Sequence, residues 1–191
     1  MGRSKPLLPL ADGDTFLTRI VQTLGEAGVE EVVVVVGHEA ARVRESLAGA
    51  WPRVRVVENA AFDAGQLTSI QAGLAAVDRP GVVATLITLV DVPLVSADTV
   101  RAVVEAYRRT RAPVVRPTSG VRHGHPLLVD RALFDLLRHA DPATGAKPIV
   151  RAHASAAGDI PVTDEGAFAD VDTPEEYERL LASLRGGARA R

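Results

Sequence analysis

Asp91 stands directly after the apolar run Ala84-Thr-Leu-Ile-Thr-Leu-Val90. A carboxylate at the end of a buried strand faces the crevice where open α/β sheets bind ligands, and it offers a hard oxygen to Mg2+. The same position also suits an aspartate that only begins the turn toward Pro93. Asp170 and Asp172 stand two residues apart, and in an extended segment both point to one face. Two carboxylates there would complete a magnesium site with Asp91. Part of this motif has a plain structural account. Thr173-Pro-Glu-Glu176 reads as a capping box, with a threonine cap, proline at the first helical position and glutamate three residues after the cap. The box leaves Asp170 unexplained, which favours Asp170 over Asp172 as the ligand.

Other polar groups fall at positions that suit anions or small ligands. Lys5, in Gly2-Arg-Ser-Lys-Pro6, follows a glycine and can neutralise a phosphate as a compact point charge. It also reads as an ordinary solvated lysine near a terminus. Gly65-Gln-Leu-Thr-Ser69 precedes an apolar helix, and backbone N–H groups at such a start can hold an anion. The plainer reading is a helix cap by Thr68 or Ser69. Arg122-His-Gly-His-Pro126 carries two histidines two apart. Zinc would need more ligands than the chain places nearby. His125 therefore reads either as a loop group touching a substrate or as part of a turn, and His38 is equally open.

The elements that must hold these residues alternate. Residues 15–27 read as an amphipathic helix with Phe16, Ile20, Val21 and Leu24 at helical spacing, ended by Gly28. The unbroken β-branched run 32–36 suits a strand covered on both faces and paired on both edges. A helix over 39–48, a strand over 54–57 and a helix over 66–77 follow. Residues 82–90 read as a strand and 96–110 as a helix that Ser96 opens. Strands at 114–115 and 168–171 and helices at 131–137, 148–154 and 174–184 complete the series. Strands alternating with helices predict an α/β fold, Rossmann-like, with three α/β/α layers and a mostly parallel sheet. Residues 1–184 read as a single domain, and the basic, glycine-rich 185–191 as a disordered tail.

Composition narrows the function. Lys plus Arg count 22 and Asp plus Glu 24 among 191 residues, a net charge of −2. That balance gives no electrostatic case for a nucleic-acid or membrane-surface partner. Aromatics at 4% cannot supply base-stacking platforms. Without cysteine there is neither a disulfide framework nor a thiolate nucleophile. No apolar run is long enough for a signal peptide or a membrane span, so a cytoplasmic protein is expected.

Taken together, the motifs resemble the MobA-like nucleotidyltransferases, and most of all their molybdenum cofactor cytidylyltransferase branch. The resembling pieces are Met1-Gly-Arg-Ser-Lys-Pro-Leu-Leu-Pro-Leu10, Val36-Gly-His38, Asn59 with Gly65-Gln-Leu-Thr-Ser-Ile-Gln-Ala-Gly-Leu74, Leu89-Val-Asp-Val-Pro93, Gly124-His-Pro126, Thr144-Gly-Ala-Lys147 and Asp170-Val-Asp-Thr-Pro-Glu-Glu-Tyr177. The guanylyl branch usually carries asparagines where Asp170 and Asp172 stand. The resemblance implies transfer of a nucleoside monophosphate, CMP from CTP, to a phosphorylated acceptor, molybdopterin, with pyrophosphate leaving. It implies Mg2+ held by Asp91 with Asp170 or Asp172, and Lys5 against the triphosphate. Gly2, Gly65 and Ser69 would lie by the nucleotide, and His125 on the acceptor side. A molybdoenzyme becomes a possible partner. A sugar-1-phosphate nucleotidyltransferase and a non-catalytic nucleotide- or pterin-binding protein are the competing expectations.

One departure sets a further expectation. The family pattern begins with a strand and a glycine-rich loop, roughly Leu-Ala-Ala-Gly-x-Ser-x-Arg, ahead of the position of Met1. Either that segment precedes Met1 in the reading frame, or the chain is a remnant that binds nucleotide poorly.

Overall fold

The computed structural model describes residues 4–10, 13–49 and 53–188. Gly2 lies outside the described residues. Helix α1 (Phe16–Glu26) begins at Thr15, whose hydroxyl accepts from the Thr18 N–H while Thr18 bonds back to the Thr15 N–H. Its apolar stripe of Leu17, Ile20, Val21 and Leu24 packs on strand β1 (Val32–Val36). After α2 (Ala40–Ser46), strand β2 (Val54–Glu58) pairs with β1 in parallel, Val32 opposite Val54 and Val36 opposite Glu58. Helix α3 (Gln66–Val77) leads to strand β3 (Ala84–Ile87), and Ser96 caps α4 (Ala97–Thr110) as expected.

Then come β4 (Val114–Ser119), β5 (Arg122–His123) and β6 (Leu127–Asp130). Helices α5 (Phe134–Arg138) and α6 (Lys147–His153), strand β7 (Asp159–Pro161) and helix α7 (Pro174–Ala188) close the series. The larger sheet has the order β3-β6-β4-β5, with β7 on β4. Strand β6 is antiparallel to both β3 and β4, and β7 is parallel to β4. So β3, β4 and β7 share one direction and β6 is reversed between them.

Adjacent residues face opposite layers, as strand geometry requires. Val114 and Val129 join α3 and α5 in one cluster, whereas Val115 and Leu128 join α4 in another. The result is the Rossmann-like α/β/α sandwich expected from the alternation. Among the described residues no helix is long and apolar enough to cross a membrane.

Three expectations change. Residues 168–171 do not form a strand. Phe168 ends a one-turn helix at Glu165–Ala167, and the Val171 N–H donates to the Asp91 carbonyl at 2.9 Å instead of joining a ladder. Residues 185–188, expected in a disordered tail, continue α7. The valines of β1 are not covered throughout: Val33, Val34 and Val35 are only half-buried. Among the described residues β1 pairs only with β2, and its other edge lines a cleft of about 1450 Å³ shared with β3.

Candidate functional site

The carboxyl ends of β1 and β3 meet the N-terminal segment. Lys5 Nζ lies 2.5 Å from Asp172 Oδ1 and 3.7 Å from Asp91 Oδ2. The Asp91 side chain is 22% exposed and that of Asp172 is 59% exposed. Asp91 Oδ1 is buried and has no hydrogen-bond partner among the described residues. An unpartnered buried carboxylate oxygen is costly, and a ligand that bonds to it removes that cost.

Helix α7 brings Asp172 to this point. Glu176 Oε2 accepts from the Asp172 and Thr173 N–H groups at 2.8 and 2.9 Å, and the Glu176 N–H returns a bond to Thr173 Oγ1. These bonds hold the Glu176 carboxyl below the usual range. The capping box expected from the sequence is thus present. With the helix start held by Thr173 and Glu176, the Asp172 carboxylate reaches Lys5. The Val171 N–H bond to the Asp91 carbonyl ties the same segment to the turn after β3, which ends at Ile87 and not at the expected residue 90.

His125 sits behind the carboxylates. Burial pushes its imidazole below the ordinary value, although the Ile87 carbonyl and the charges of Asp91 and Asp170 pull the other way. The ring is neutral at pH 7. Its Nδ1 lies 3.4 Å from the Ile87 carbonyl, which only accepts, so the proton belongs on Nδ1 and Nε2 keeps its lone pair. Asp170 is exposed, near enough for its charge to act on His125. Asp91, Asp172 and Lys5 are therefore joined directly, and Asp170 flanks them.

Gly124 explains the Gly-His-Pro motif. A Cβ there would collide with the Ala167 carbonyl and the Phe168 ring. The bare backbone lets the His125 N–H donate to the Ala167 carbonyl at 2.8 Å. Asp164 anchors that loop. Its Oδ2 accepts from the Ser96 N–H and from the Ser96 and Thr99 hydroxyls at 2.7–2.8 Å, and its Oδ1 accepts from the Gly166 N–H. Burial pushes the Asp164 carboxyl up, but these four donors outweigh it and leave it below the usual value.

A folded-state value below the unfolded one means that this stabilisation is complete above the unfolded pKa of about 3.9 and fades as pH falls through the lower folded value. Asp164→Asn removes the charge that the donors serve. It is expected to cost about 2–3 kcal/mol at pH 7, with the gap from wild type closing as pH falls below the unfolded value and through the lower folded one. Urea melts at several pH values measure it. A gap that stays constant with pH would refute the charge argument.

On the opposite wall, Asn59 is buried at the end of β2. Its amide donates to Thr68 Oγ1 at 2.8 Å and to Ser69 Oγ at 3.0 Å, and its Oδ1 accepts from the Ala61 N–H. Thr68 and Ser69 are therefore not caps. The N-cap of α3 is Gly65, whose φ of 114° lies in the range that favours glycine. Ser69, Gly37, His38, Phe62, Ser4 and Asp91 all line the cleft. Gly37 leaves room for the Phe62 ring, which meets His38 edge-on at 3.9 Å between centroids. The sequence places Gly37 and Asn59 directly after strands and within the family resemblance but gives neither a role of its own, and it does not single out Phe62. A buried polar residue directly after a strand was the available signal for Asn59.

The residues fit a hard cation in a limited way. Asp91 offers a buried free oxygen, and Lys5 joins its carboxylate to that of Asp172. Among the described residues no group of three or more His, Asp or Glu side chains is arranged to hold a metal ion.

Comparison with known proteins follows the same lines. A family model described as a MobA-like NTP transferase domain matches residues 1–157. Nicotine blue oxidoreductase of Paenarthrobacter nicotinovorans is 31% identical over 188 residues, covering 95% of this chain and 90% of that protein. A probable molybdenum cofactor guanylyltransferase of Rhodopirellula baltica is 31% identical over 119 residues, 60% of this chain and 53% of that one. The manganese complex of a Mycobacterium tuberculosis H37Rv protein superposes with a TM-score of 0.74 at 29% identity, over 95% of this chain and 93% of that chain.

Proposed function

Because the chain belongs to the MobA-like NTP transferase family, we propose that it moves CMP from CTP to the phosphate of molybdopterin and releases pyrophosphate. The observation that carries the reading is the buried, unpartnered Asp91 Oδ1 beside the Lys5 ammonium. A carboxylate poised for a cation and a fixed positive charge are what a triphosphate requires. CTP is favoured over GTP because Asp170 and Asp172 stand where the guanylyl branch carries asparagines.

An oxygen of the acceptor phosphate attacks the α-phosphorus. The bond from that phosphorus to the bridging oxygen breaks, and pyrophosphate leaves with the electron pair. Mg2+, when bound, would neutralise charge developing on the phosphates. Asp91 would hold it, with Asp170 or Asp172 as the second carboxylate. Lys5 pairs with phosphate oxygens in place of Asp172. Ser69 has its oxygen engaged by Asn59, which leaves its O–H hydrogen to donate to substrate. His125, neutral and Nδ1-protonated, presents Nε2 as an acceptor on the acceptor side. No protein nucleophile is needed, since positioning and charge carry such a step.

The reading is tested with α-phosphate-labelled CTP and GTP, molybdopterin and Mg2+, following labelled dinucleotide and pyrophosphate together. CTP is expected to be used at least roughly tenfold better, a modest margin for discrimination by one pocket. Preference for GTP would overturn the base assignment. Transfer only to a sugar 1-phosphate would overturn the acceptor.

A contrast within the acidic pair accompanies this test. Asp170→Asn is expected to raise the Mg2+ concentration for half-maximal rate roughly tenfold, as loss of an oxygen ligand should. Asp172→Asn is expected to shift it less and chiefly to lower the melting temperature. Magnesium titrations of both variants rank them, and the reverse order would make Asp172 the ligand.

A second reading has its own support. The nicotine blue oxidoreductase is matched over 95% of this chain, against 60% for the guanylyltransferase. Reduction of nicotine blue at the expense of NADH or NADPH, with no nucleotidyl transfer to any acceptor, would establish it.

A further inference from the structure

Asp91 and His125 are joined by a closed ring of chain and hydrogen bonds, and Asp164 is the charged link in it. Strand β3 ends at Ile87, and the chain continues through Asp91 to the start of α4. There Ser96 and Thr99 hold Asp164 Oδ2 through three bonds of 2.7–2.8 Å. Asp164 in turn shapes the tight turn that follows it. Its Oδ1 accepts from the Gly166 N–H at 3.0 Å, and its carbonyl accepts from the Ala167 N–H at 3.1 Å. That turn presents the Ala167 carbonyl to the His125 N–H. The His125 Nδ1 meets the Ile87 carbonyl, which closes the ring on the strand where it began.

Further contacts tighten the frame. A Cβ on Gly166 would stand 2.1 Å from the Leu94 carbonyl oxygen, so the turn lies directly against the segment that follows Asp91. The Val171 N–H bond to the Asp91 carbonyl brings the segment of Asp170 into the same frame. Arg122 grips the Glu165 carboxylate with two bonds of 2.8 Å and lies 4.8 Å over the Phe168 ring, so the hairpin of β4 and β5 rests on the turn. Asp91, His125 and Asp170 thus stand on three segments far apart in sequence, and the turn of Asp164 meets the first two directly.

Four donors converge on the Asp164 carboxylate. Only its ionised form accepts from all of them, because it carries no hydrogen of its own. An amide in its place turns an N–H toward at least one donor. The turn must then shift, and the Ala167 carbonyl shifts with it.

We infer that Asp164 is a positioning residue: by shaping the turn that carries the Ala167 carbonyl, it holds His125 against Ile87 and sets the separation between His125 Nε2 and the Asp91 carboxylate. Asp164 acts through His125 and not on substrate. A displacement of about 1 Å caused away from the chemistry can cost roughly 100-fold in rate. The inference rests on the reading that places His125 beside the acceptor, and it concerns that side of the site. Lys5 and Ser69 are held outside the ring, by Asp172 and by Asn59.

Two readouts on Asp164→Asn separate positioning from support of the fold, both taken at a temperature where melting curves show the variant folded. The first is the tautomer of His125, read from its ring 15N signals above neutral pH and assigned through their loss in His125→Gln. Wild type is expected to show the Nδ1–H form that the Ile87 carbonyl selects. The variant is expected to show a mixture with Nε2–H, the form that a free imidazole prefers. The second is kinetic. The kcat/KM for molybdopterin is expected to fall at least roughly 10-fold, while the Kd for CTP stays within about threefold. Thr99→Val removes one donor to Asp164 and decides the matter if Asp164→Asn does not fold, with the same changes expected at roughly threefold. Wild-type ring signals and wild-type acceptor kinetics in the folded variant would overturn the inference. An equal loss of CTP affinity would overturn its confinement to the acceptor side. The ring signals need no substrate: if wild type transfers nothing to molybdopterin, the proposed reaction falls, and the tautomer still decides the role of Asp164.

Discussion

Asp91→Asn is expected to slow nucleotidyl transfer at least roughly 1000-fold, about 4 kcal/mol of transition-state stabilisation, while the protein stays folded. The two halves of this expectation have separate causes. Asparagine keeps the shape of the side chain but loses the charge that would hold a cation against the triphosphate. Little of the fold depends on that charge. Asp91 Oδ1 has no hydrogen bond to lose, and the contact to Lys5 at 3.7 Å is a loose one. The bond that ties Val171 to residue 91 uses the main-chain carbonyl and survives the change. Melting curves and single-turnover rates with excess enzyme check both halves. A folded variant turning over within about threefold of wild type would remove Asp91 from the chemistry.

Lys5→Met should weaken the use of nucleotide roughly 30- to 100-fold in kcat/KM, about 2–3 kcal/mol, as expected when a hydrogen-bonded charge loses its ionic partner. Methionine keeps the apolar stem and removes the ammonium. Asp172 is more than half exposed, so water takes over its solvation, and the unliganded protein should lose little stability. Pairing with Asp172→Asn distinguishes two roles. If Lys5 leaves Asp172 for the phosphates, the double variant should resemble Lys5→Met alone. If Lys5 only neutralises the carboxylates, Asp172→Asn should rescue part of the loss.

Periodicity made α1 and α4 readable, because each has a full apolar stripe and a polar cap, Thr15 and Ser96. The short strands were not. β5 has two residues and β7 three, too few for an alternation to show. β6 follows Pro126 directly, where the histidine motif drew the reading toward a loop. The strand expected at 168–171 failed for a related reason: Val171 is buried against Leu8 and Phe16, whereas Phe168 is only half-buried and packs on a different cluster, so the two do not share one sheet face. At the site, the polar ends of β3 and of the segment before α7 stood out individually. Their meeting through Lys5 did not, because the partners are 167 residues apart and no local pattern encodes so distant a pair. Gly124 was read only as part of a motif, since the collision that requires glycine lies with residues 167–168.

The long separation also sets when the site can exist. Helix α7 clamps the N-terminal segment: the Tyr177 hydroxyl donates to the Pro9 carbonyl at 2.6 Å, and the Tyr177 ring packs on Phe16. Contacts that close nearly the whole chain form late, after the loop-closure entropy has been met by everything between. During synthesis Lys5 leaves the ribosome 167 residues ahead of Asp172. A nascent chain therefore holds a lysine with no carboxylate across from it until α7 emerges and docks. Substrate cannot be gripped by a half-made molecule, and a ligand that bridges Lys5 and the acidic segment would act as a latch on the finished one, slowing the first step of its unfolding.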